Sequence, residues 1–83
     1  MATPIERAKG TLELIRVGRQ MENKANATPG RSGYDAAVAT LDRASELLQE
    51  IYQAMSKNDL EEIKVWYEEN KVRITTGGGN NND

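Results

Sequence analysis

The longest periodic stretch of the chain is residues 34–55, which read YDAAVATLDRASELLQEIYQAM. Apolar residues recur there at alternating steps of three and four, which is the pattern of one face of an α-helix. These residues are Tyr34, Ala37, Leu41, Ala44, Leu48, Ile51 and Met55. Val38, Leu47 and Tyr52 widen the stripe on both sides, beyond the width that one neighbouring helix covers. We therefore expect the rest of the chain to be built around this helix.

An earlier helix is predicted over about residues 4–24. A typical helix start is formed by Thr3, Pro4 and Glu6. The threonine side chain can cap the helix, and the glutamate side chain can accept a hydrogen bond from the backbone amide of the capping residue. On a helical wheel this segment has two apolar patches. The first patch is Ile5, Ala8, Leu12 and Ile15, and the second is Leu14, Val17 and Met21, with Gly10 and Gly18 beside it. The glycines suggest a close approach by another helix, and the second patch faces either a third helix or a second subunit.

The turn residues set the remaining boundaries. Pro29-Gly30 interrupts the pattern, so the middle helix is predicted to span about residues 33–56. Asn58 and Asp59 start a shorter third helix over about residues 59–71. Residues 75–83, which are rich in glycine and asparagine, are predicted to be a disordered tail.

These elements predict an all-α fold in a single domain, residues 1–74. The architecture is an antiparallel helical hairpin with a shorter third helix across it. A chain of 83 residues without cysteine buries little of its surface and has no disulfide to stabilise it. We therefore expect a homo-oligomeric bundle, a dimer or a higher assembly.

The charge is unevenly distributed. Residues 1–31 carry six basic and three acidic side chains, whereas residues 32–83 carry five basic and ten acidic ones. This asymmetry predicts attraction between the first two helices. The middle helix carries acidic residues on its outer face, which argues against a DNA-binding helix-turn-helix. Nucleic acid in general is a poor partner for the same reason.

The hydropathy pattern predicts a soluble, cytoplasmic protein that does not bind membranes. No apolar run approaches the roughly 20 residues of a membrane span, and the first residues lack the layout of a signal peptide. If the chain is phage-encoded, the expected compartment is the host cytoplasm.

The residue types for most catalytic chemistry are missing. The sequence contains no histidine and no cysteine, which removes the usual general base, thiol nucleophile and soft metal ligands. Glu46 and Glu50 lie one helical turn apart, as carboxylates do in metal-binding bundles, but such sites need further converging ligands. We expect no catalytic residues, no metal and no cofactor, and keep a carboxylate metal hydrolase as a remote alternative.

The loop before the middle helix is the most site-like stretch. Arg31, Ser32 and Gly33 combine a cation, a hydroxyl group and free amides at a helix N-terminus, where anions bind. Helix-1 cations and the first residue of the middle helix would complete an anion or nucleotide site, from the same or a second chain. They are Arg16, Arg19 and Tyr34. The other interpretation is an ordinary loop with a capping serine.

Several apolar and aromatic side chains are candidates for partner contacts or self-association. Trp66 and Tyr67 are adjacent and point about 100° apart on a helix, so one packs inward while the other lies at a rim, or both close the core. The full set is Leu14, Val17, Met21, Leu47, Tyr52, Trp66 and Tyr67.

No motif in these residues matches a known family. In size, acidity and helical content the chain is similar to the small inhibitors encoded by phages and other mobile elements, which implies an inhibitor or adaptor. The predicted function is a small non-catalytic helical interaction module that binds a partner protein and self-associates. The alternative is an anion or nucleotide trap at the Gly30–Gly33 loop.

Overall fold

Three α-helices form the fold. The computed structural model describes residues 2–78. Helix α1 is Pro4–Asn26, α2 is Tyr34–Gln53 and α3 is Lys57–Thr76, and a single 3-10 turn, Pro29–Arg31, lies between α1 and α2. The described residues contain no strand, and the all-α prediction is confirmed.

Helix α1, and not α2, is the centre of the fold. Both α2 and α3 pack extensively on α1 and much less on each other. Helix α2 runs antiparallel to α1, because Gly18 lies against Leu41, whereas Met21, later in α1, lines a cavity with Ala36, earlier in α2. Helix α3 runs parallel to α1, because Lys9 contacts Trp66 and Glu13 contacts Arg73. The prediction that α2 is the organising helix is therefore wrong.

Small residues explain why α1 takes the central place. Its fully enclosed positions are Ala8, Thr11, Leu12, Gly18 and Ala25, of which only Leu12 is large. Small side chains allow a neighbouring helix to approach closely, as α2 does at Gly18. They contribute little to a hydrophobic wheel, which is why α1 looked weaker than α2 in the sequence. The core around them includes Ile51, Met55, Ile63 and Ile74.

The predicted close approach occurs at one of the two helix-1 glycines. A methyl group at Gly18 would lie 2.7 Å from Cδ2 and 2.8 Å from Cγ of Leu41. A methyl group at Gly10 would meet nothing within 4 Å. Gly18 therefore allows α1 and α2 to pack tightly, whereas Gly10 has no such role within the chain.

The helix starts follow capping chemistry, with two shifts from the predicted bounds. The capping box of Thr3 and Glu6 is present, with backbone-to-side-chain hydrogen bonds of 2.9 and 3.1 Å. Helix α2 begins at Tyr34 with Gly33 as its N-cap, so Ser32 does not cap it. Helix α2 ends at Gln53, earlier than predicted, because the Ser56 hydroxyl caps α3 by accepting from the Asp59 amide at 3.1 Å.

Helix α3 is longer than predicted, with 20 residues, the same length as α2. Ile74 is 1% exposed and lies eleven residues after the buried Ile63, on the same helical face. This face packs on α1 and carries the helix past the predicted end at residue 71.

The first part of the predicted tail belongs to the fold. Thr75 and Thr76 are helical, and Gly77 ends α3 with a φ of 70° and is buried. The Gly77 and Gly78 amides donate to the carbonyls of Ile74 and Arg73, which is a glycine-dependent helix end. Residues 79–83, the rest of the predicted tail, lie outside the described residues.

Electrostatic attraction links α1 to α3 and not to α2. Glu13 accepts hydrogen bonds from both Arg16 and Arg73, the latter through two guanidinium nitrogens. Among residues 2–78, no ion pair joins α1 to α2. The expected pairing of oppositely charged hairpin helices is therefore absent there, and the hairpin is held by close apolar packing.

Candidate interaction surfaces

An open groove runs between α2 and α3, with α1 as its floor. It exists because α2 and α3 both pack on α1 and leave space between their outward-facing flanks. Its upper part has a volume of about 270 Å³. The lining side chains are Leu12, Ile15 and Arg19 of α1, Ser45, Leu48 and Tyr52 of α2, and Tyr67, Ile74 and Thr75 of α3. We call this feature, with its lower part, the tyrosine groove.

The lower part of the tyrosine groove lies near the α2–α3 turn and is almost wholly apolar. It has a volume of about 280 Å³ and is lined by Tyr52, Leu60, Ile63, Lys64 and Tyr67. The two tyrosines line both parts, so the two parts meet at these rings. From Leu60 to Thr75 the groove follows fifteen residues of α3, which corresponds to roughly 22 Å.

Tyr52 and Tyr67 are half-buried and pack against the core while facing the groove. Burial raises the pKa of the Tyr52 phenol above its ordinary value, and the nearby Tyr67 raises it further. Both effects favour the neutral phenol of Tyr52, so its ring presents an apolar body and a hydroxyl group to a ligand.

One cation lines each part of the tyrosine groove. Arg19 lines the upper part, where its guanidinium is 3.2 Å from a carboxylate oxygen of Glu22. Lys64 lines the lower part, on the turn of α3 between Tyr67 and Leu60, which is 36% exposed. Lys64 beside an apolar lining favours a ligand with an apolar face and an acidic residue at its edge.

Trp66 lies away from the groove, on the other side of the contact between α3 and α1. Its ring is half-buried, and the Lys9 ammonium lies 5.6 Å from the ring centroid. Trp66 and Tyr67 thus both pack against the core from different sides, and of the two only Tyr67 lines the groove.

A second apolar surface lies on the flank of the hairpin turned away from the groove. We call it the back strip, and it consists of Leu14, Val17 and Met21 of α1 and Leu47 of α2. Leu14 is 37% exposed and the other three are half-buried. Helix α3 packs on a different side of α1, so the back strip does not face the third helix. Of the two readings of the second patch, the one that places it against α3 is wrong.

The back strip includes Leu47 because of the register between α1 and α2. Thr40, seven residues before Leu47, lies on the same face of α2. The methyl group of Thr40 is 3.5 Å from the position that a Cβ atom of Gly18 would take. Met21 of the strip lines a shallow cavity with Ala36 at the start of α2.

The structure separates the residues of the predicted anion site. Arg31 stacks on Tyr34, with 3.8 Å from the guanidinium carbon to the ring centroid. Ser32 and Gly33 line a cavity with Lys24, a residue that the sequence analysis did not propose. The two helix-1 arginines lie elsewhere.

Arg16 and Arg19 are engaged far from the loop. Arg16 lies ten residues before the end of α1, which is roughly 15 Å along the helix. Its guanidinium donates a hydrogen bond to Glu13. Arg19 pairs with Glu22 and lines the tyrosine groove. Neither arginine comes to Arg31 within one chain.

The acidic pair on α2 is part of an exposed surface. The Glu46 side chain is 69% exposed and lies 3.6 Å from Arg43, and Glu50 is also exposed. Within residues 2–78, no three acidic side chains come together around a common point. The carboxylate alternative therefore gains no support from the fold.

Part of the groove was predictable from the sequence, and the prediction omitted the rest. It proposed Tyr52 and Tyr67 as contact residues, and both line the groove. It did not propose Leu48, Leu60 or Lys64 as groove residues, or Arg19 as one of its cations. The available signal was the position of Lys64 and Leu60 on the same helical flank as Tyr67, three and seven residues before it.

Comparison with models of protein families, with curated proteins and with solved structures found no match. None of the helices described over residues 2–78 has the length and apolar character needed to cross a membrane.

Proposed function

We propose that this chain is a non-catalytic interaction module that binds an amphipathic helix of a partner protein in the tyrosine groove. The observation that carries the proposal is the open apolar groove with Tyr52 and Tyr67 where its two parts meet. Tyrosines are enriched at protein interfaces, because the ring supplies apolar contact area and the hydroxyl group a hydrogen bond.

The groove dimensions favour a helix as the bound segment. A length of roughly 22 Å accommodates about four helical turns, or some 15 residues. Binding of an amphipathic helix in a groove formed by two other helices is a common recognition mode. Lys64 in the lower part favours a helix with an acidic residue on the edge of its apolar face.

Binding of this kind suits an inhibitor or adaptor. A partner helix held in the groove buries its apolar face, so that face is no longer available for the partner's own contacts. The chain would need no chemistry of its own for such a role.

The proposal is tested with two variants of exposed apolar residues on α3. The partner is first captured on the immobilised chain from an extract of the encoding organism, and its affinity is then measured by calorimetry. Leu60→Glu introduces a charge into the groove, whereas Val72→Glu does so at a residue that is 76% exposed and lines neither part of the groove. We expect Leu60→Glu to abolish binding and Val72→Glu to leave it unchanged. Equal affinities for both variants would remove the proposal.

The anion trap is the second candidate, with less support. Arg31, Ser32 and Gly33 remain together at the N-terminus of α2, where no side chain caps the helix amides. Lys24 takes the place proposed for Arg16 and Arg19. Thermal-shift measurements with nucleotides and inorganic phosphate test this function, since it requires a stabilisation that Arg31→Ala removes.

A further inference from the structure

Gly10 in the middle of α1 is exposed and makes no close packing contact with the described residues. A methyl group there would meet nothing within 4 Å, and the residue is exposed. Glycine destabilises a helix interior relative to alanine, so a glycine at such a position calls for a reason. Close approach of another backbone is the usual reason, and no described part of this chain supplies one.

Gly10 lies next to the back strip on one arc of α1. Six residues fall within an arc of about 80° on the helical wheel. In chain order they are Glu6, Gly10, Leu14, Val17, Met21 and Lys24. The arc has an acidic end, a basic end and an apolar middle.

The arc is complementary to itself when one copy is reversed. When one copy of the arc is reversed about a point between residues 15 and 16, Leu14 of one copy lies opposite Val17 of the other, at the centre. Gly10 falls opposite Met21, which pairs a gap with a long flexible side chain. Glu6 falls one residue beyond the level of Lys24, a difference of about 1.5 Å along the helix. Both residues are exposed on the same flank of the helix, within reach of an ion pair. Size therefore matches at the two inner levels, and opposite charges adjoin at the ends.

We propose that the back strip is covered by a second copy of this chain, with the two α1 helices antiparallel across a two-fold axis near residues 15–16. Glu6 of each copy lies beside Lys24 of the other, and Gly10 of each receives Met21 of the other. Leu47 extends the contact onto α2, so the two hairpins form a four-helix bundle.

This arrangement leaves α3 and the tyrosine groove on the outside of the dimer. It extends the proposed interaction module, since each copy can still bind a partner helix. The two proposals depend on different residues, so the failure of one is distinguishable from the failure of the other.

The first test is the oligomeric state of the full chain and three variants by sedimentation equilibrium. We expect a dimer for the natural sequence. Val17→Glu and Leu14→Glu each place two like charges near the two-fold axis, and Gly10→Leu fills the space that receives Met21. We expect each variant to be monomeric, with a helical circular dichroism spectrum like that of the natural sequence. Val65→Glu, at a 58% exposed residue outside the strip, is the control and should remain dimeric. A monomeric natural chain, or a dimer that persists in the Val17→Glu and Leu14→Glu variants, would overturn the proposal.

The second test uses the two charged residues at the ends of the arc. Glu6→Lys alone and Lys24→Glu alone each create two like-charge contacts in the dimer, and we expect a roughly tenfold weaker association for each. In an equimolar mixture both contacts of the mixed dimer are attractive, so native mass spectrometry should show the mixed dimer in excess over either homodimer. A statistical mixture of species would contradict the antiparallel register.

Discussion

At the scale of single residues, four glycines of the described chain differ in what lies beside them. Gly18 and Gly77 lie against another helix, whereas Gly10 and Gly30 are open to solvent on the side where a Cβ would be. Gly10 and Gly18 look equivalent in the sequence, because both lie inside the same predicted helix and a glycine carries no sign of its neighbours. Matched alanine substitutions therefore measure the packing directly.

Gly18→Ala should destabilise the fold, and Gly10→Ala should stabilise the isolated chain. Alanine improves helix propensity by about 1 kcal/mol at both positions. At Gly18 the added methyl overlaps Cγ and Cδ2 of Leu41, and such overpacking costs about 1 to 3 kcal/mol. Urea denaturation at the lowest practical protein concentration gives both free energies of unfolding. An increase in stability for both variants would show that α1 and α2 are further apart than described.

Gly77→Ala should be more destabilising than Gly30→Ala. Both glycines have positive φ, 70° and 77°, for which alanine costs about 1 kcal/mol. At Gly77 the methyl would also lie 2.6 Å from the backbone nitrogen of Gln20, so α3 must move off α1. We expect a loss of more than about 2 kcal/mol for Gly77 by thermal or urea unfolding. Equal losses for both variants would contradict the docking of this helix end.

At the scale of helices, the pairing of α1 with α3 depends on one charged contact and a long apolar face. The pKa of the Glu13 carboxyl is lowered from 4.5 to about 2, mainly because Arg73 hydrogen bonds to it. Burial opposes this shift, and the hydrogen bond from Arg16 adds to it. The Glu13 side chain is 37% exposed, so solvent screening limits its contribution to stability.

Stability should therefore depend on pH through Glu13. The folded state binds fewer protons between pH 4.5 and about 2, so the contribution is complete above pH 4.5 and is lost as pH falls towards 2. Glu13→Gln should cost roughly 1 kcal/mol at neutral pH, and the difference from the natural chain should vanish near pH 2. Urea titrations across this range provide the measurement.

The control for this prediction is Glu46→Gln on α2. Its contact with Arg43 is 3.6 Å long and both side chains are more than 60% exposed, at 69% and 64%. We expect almost no change in stability at any pH. A Glu13→Gln deficit that stayed constant down to pH 2 would show that packing, and not the charge, is lost.

The extent of α3 shows what local patterns leave undetermined. Leu60, Ile63, Trp66 and Tyr67 predicted a helix, and the helix exists. Its last turn depends on tertiary contacts: Ile74 is buried by α1, and Asn23 donates to the Thr76 carbonyl at 2.9 Å. Residues 75–78 have the composition of a tail, and only the surface of α1 gives them a fixed place.

At the scale of the whole molecule, the sequence predicted the helix count and the hairpin, and misassigned the central element. The broad stripe of α2 was read as a sign of several neighbours. In the structure Ala37, Ala44 and Ile51 are buried, mainly against α1, while Leu48 and Tyr52 on its flank line the groove. The apolar face of α2 is thus wider than the surface that α1 covers, and the uncovered flank forms one wall of the tyrosine groove. The position of α3 beside α1 could not be predicted, because the α1 residues that contact α3 include Lys9, Glu13 and Gln20, which add nothing to a hydrophobic pattern.

The most direct measurement of the central claim, that the tyrosine groove holds a partner helix, is site-specific photo-crosslinking. A benzophenone amino acid is placed at Tyr67, inside the groove, and in a separate variant at Val65, which is 58% exposed and lines neither part of the groove. Both variants are irradiated in an extract of the encoding organism. We expect a discrete adduct from position 67 that is missing from position 65. The cross-link should lie in a helix of the captured protein. No adduct at position 67, or the same adducts from both positions, would contradict the central claim.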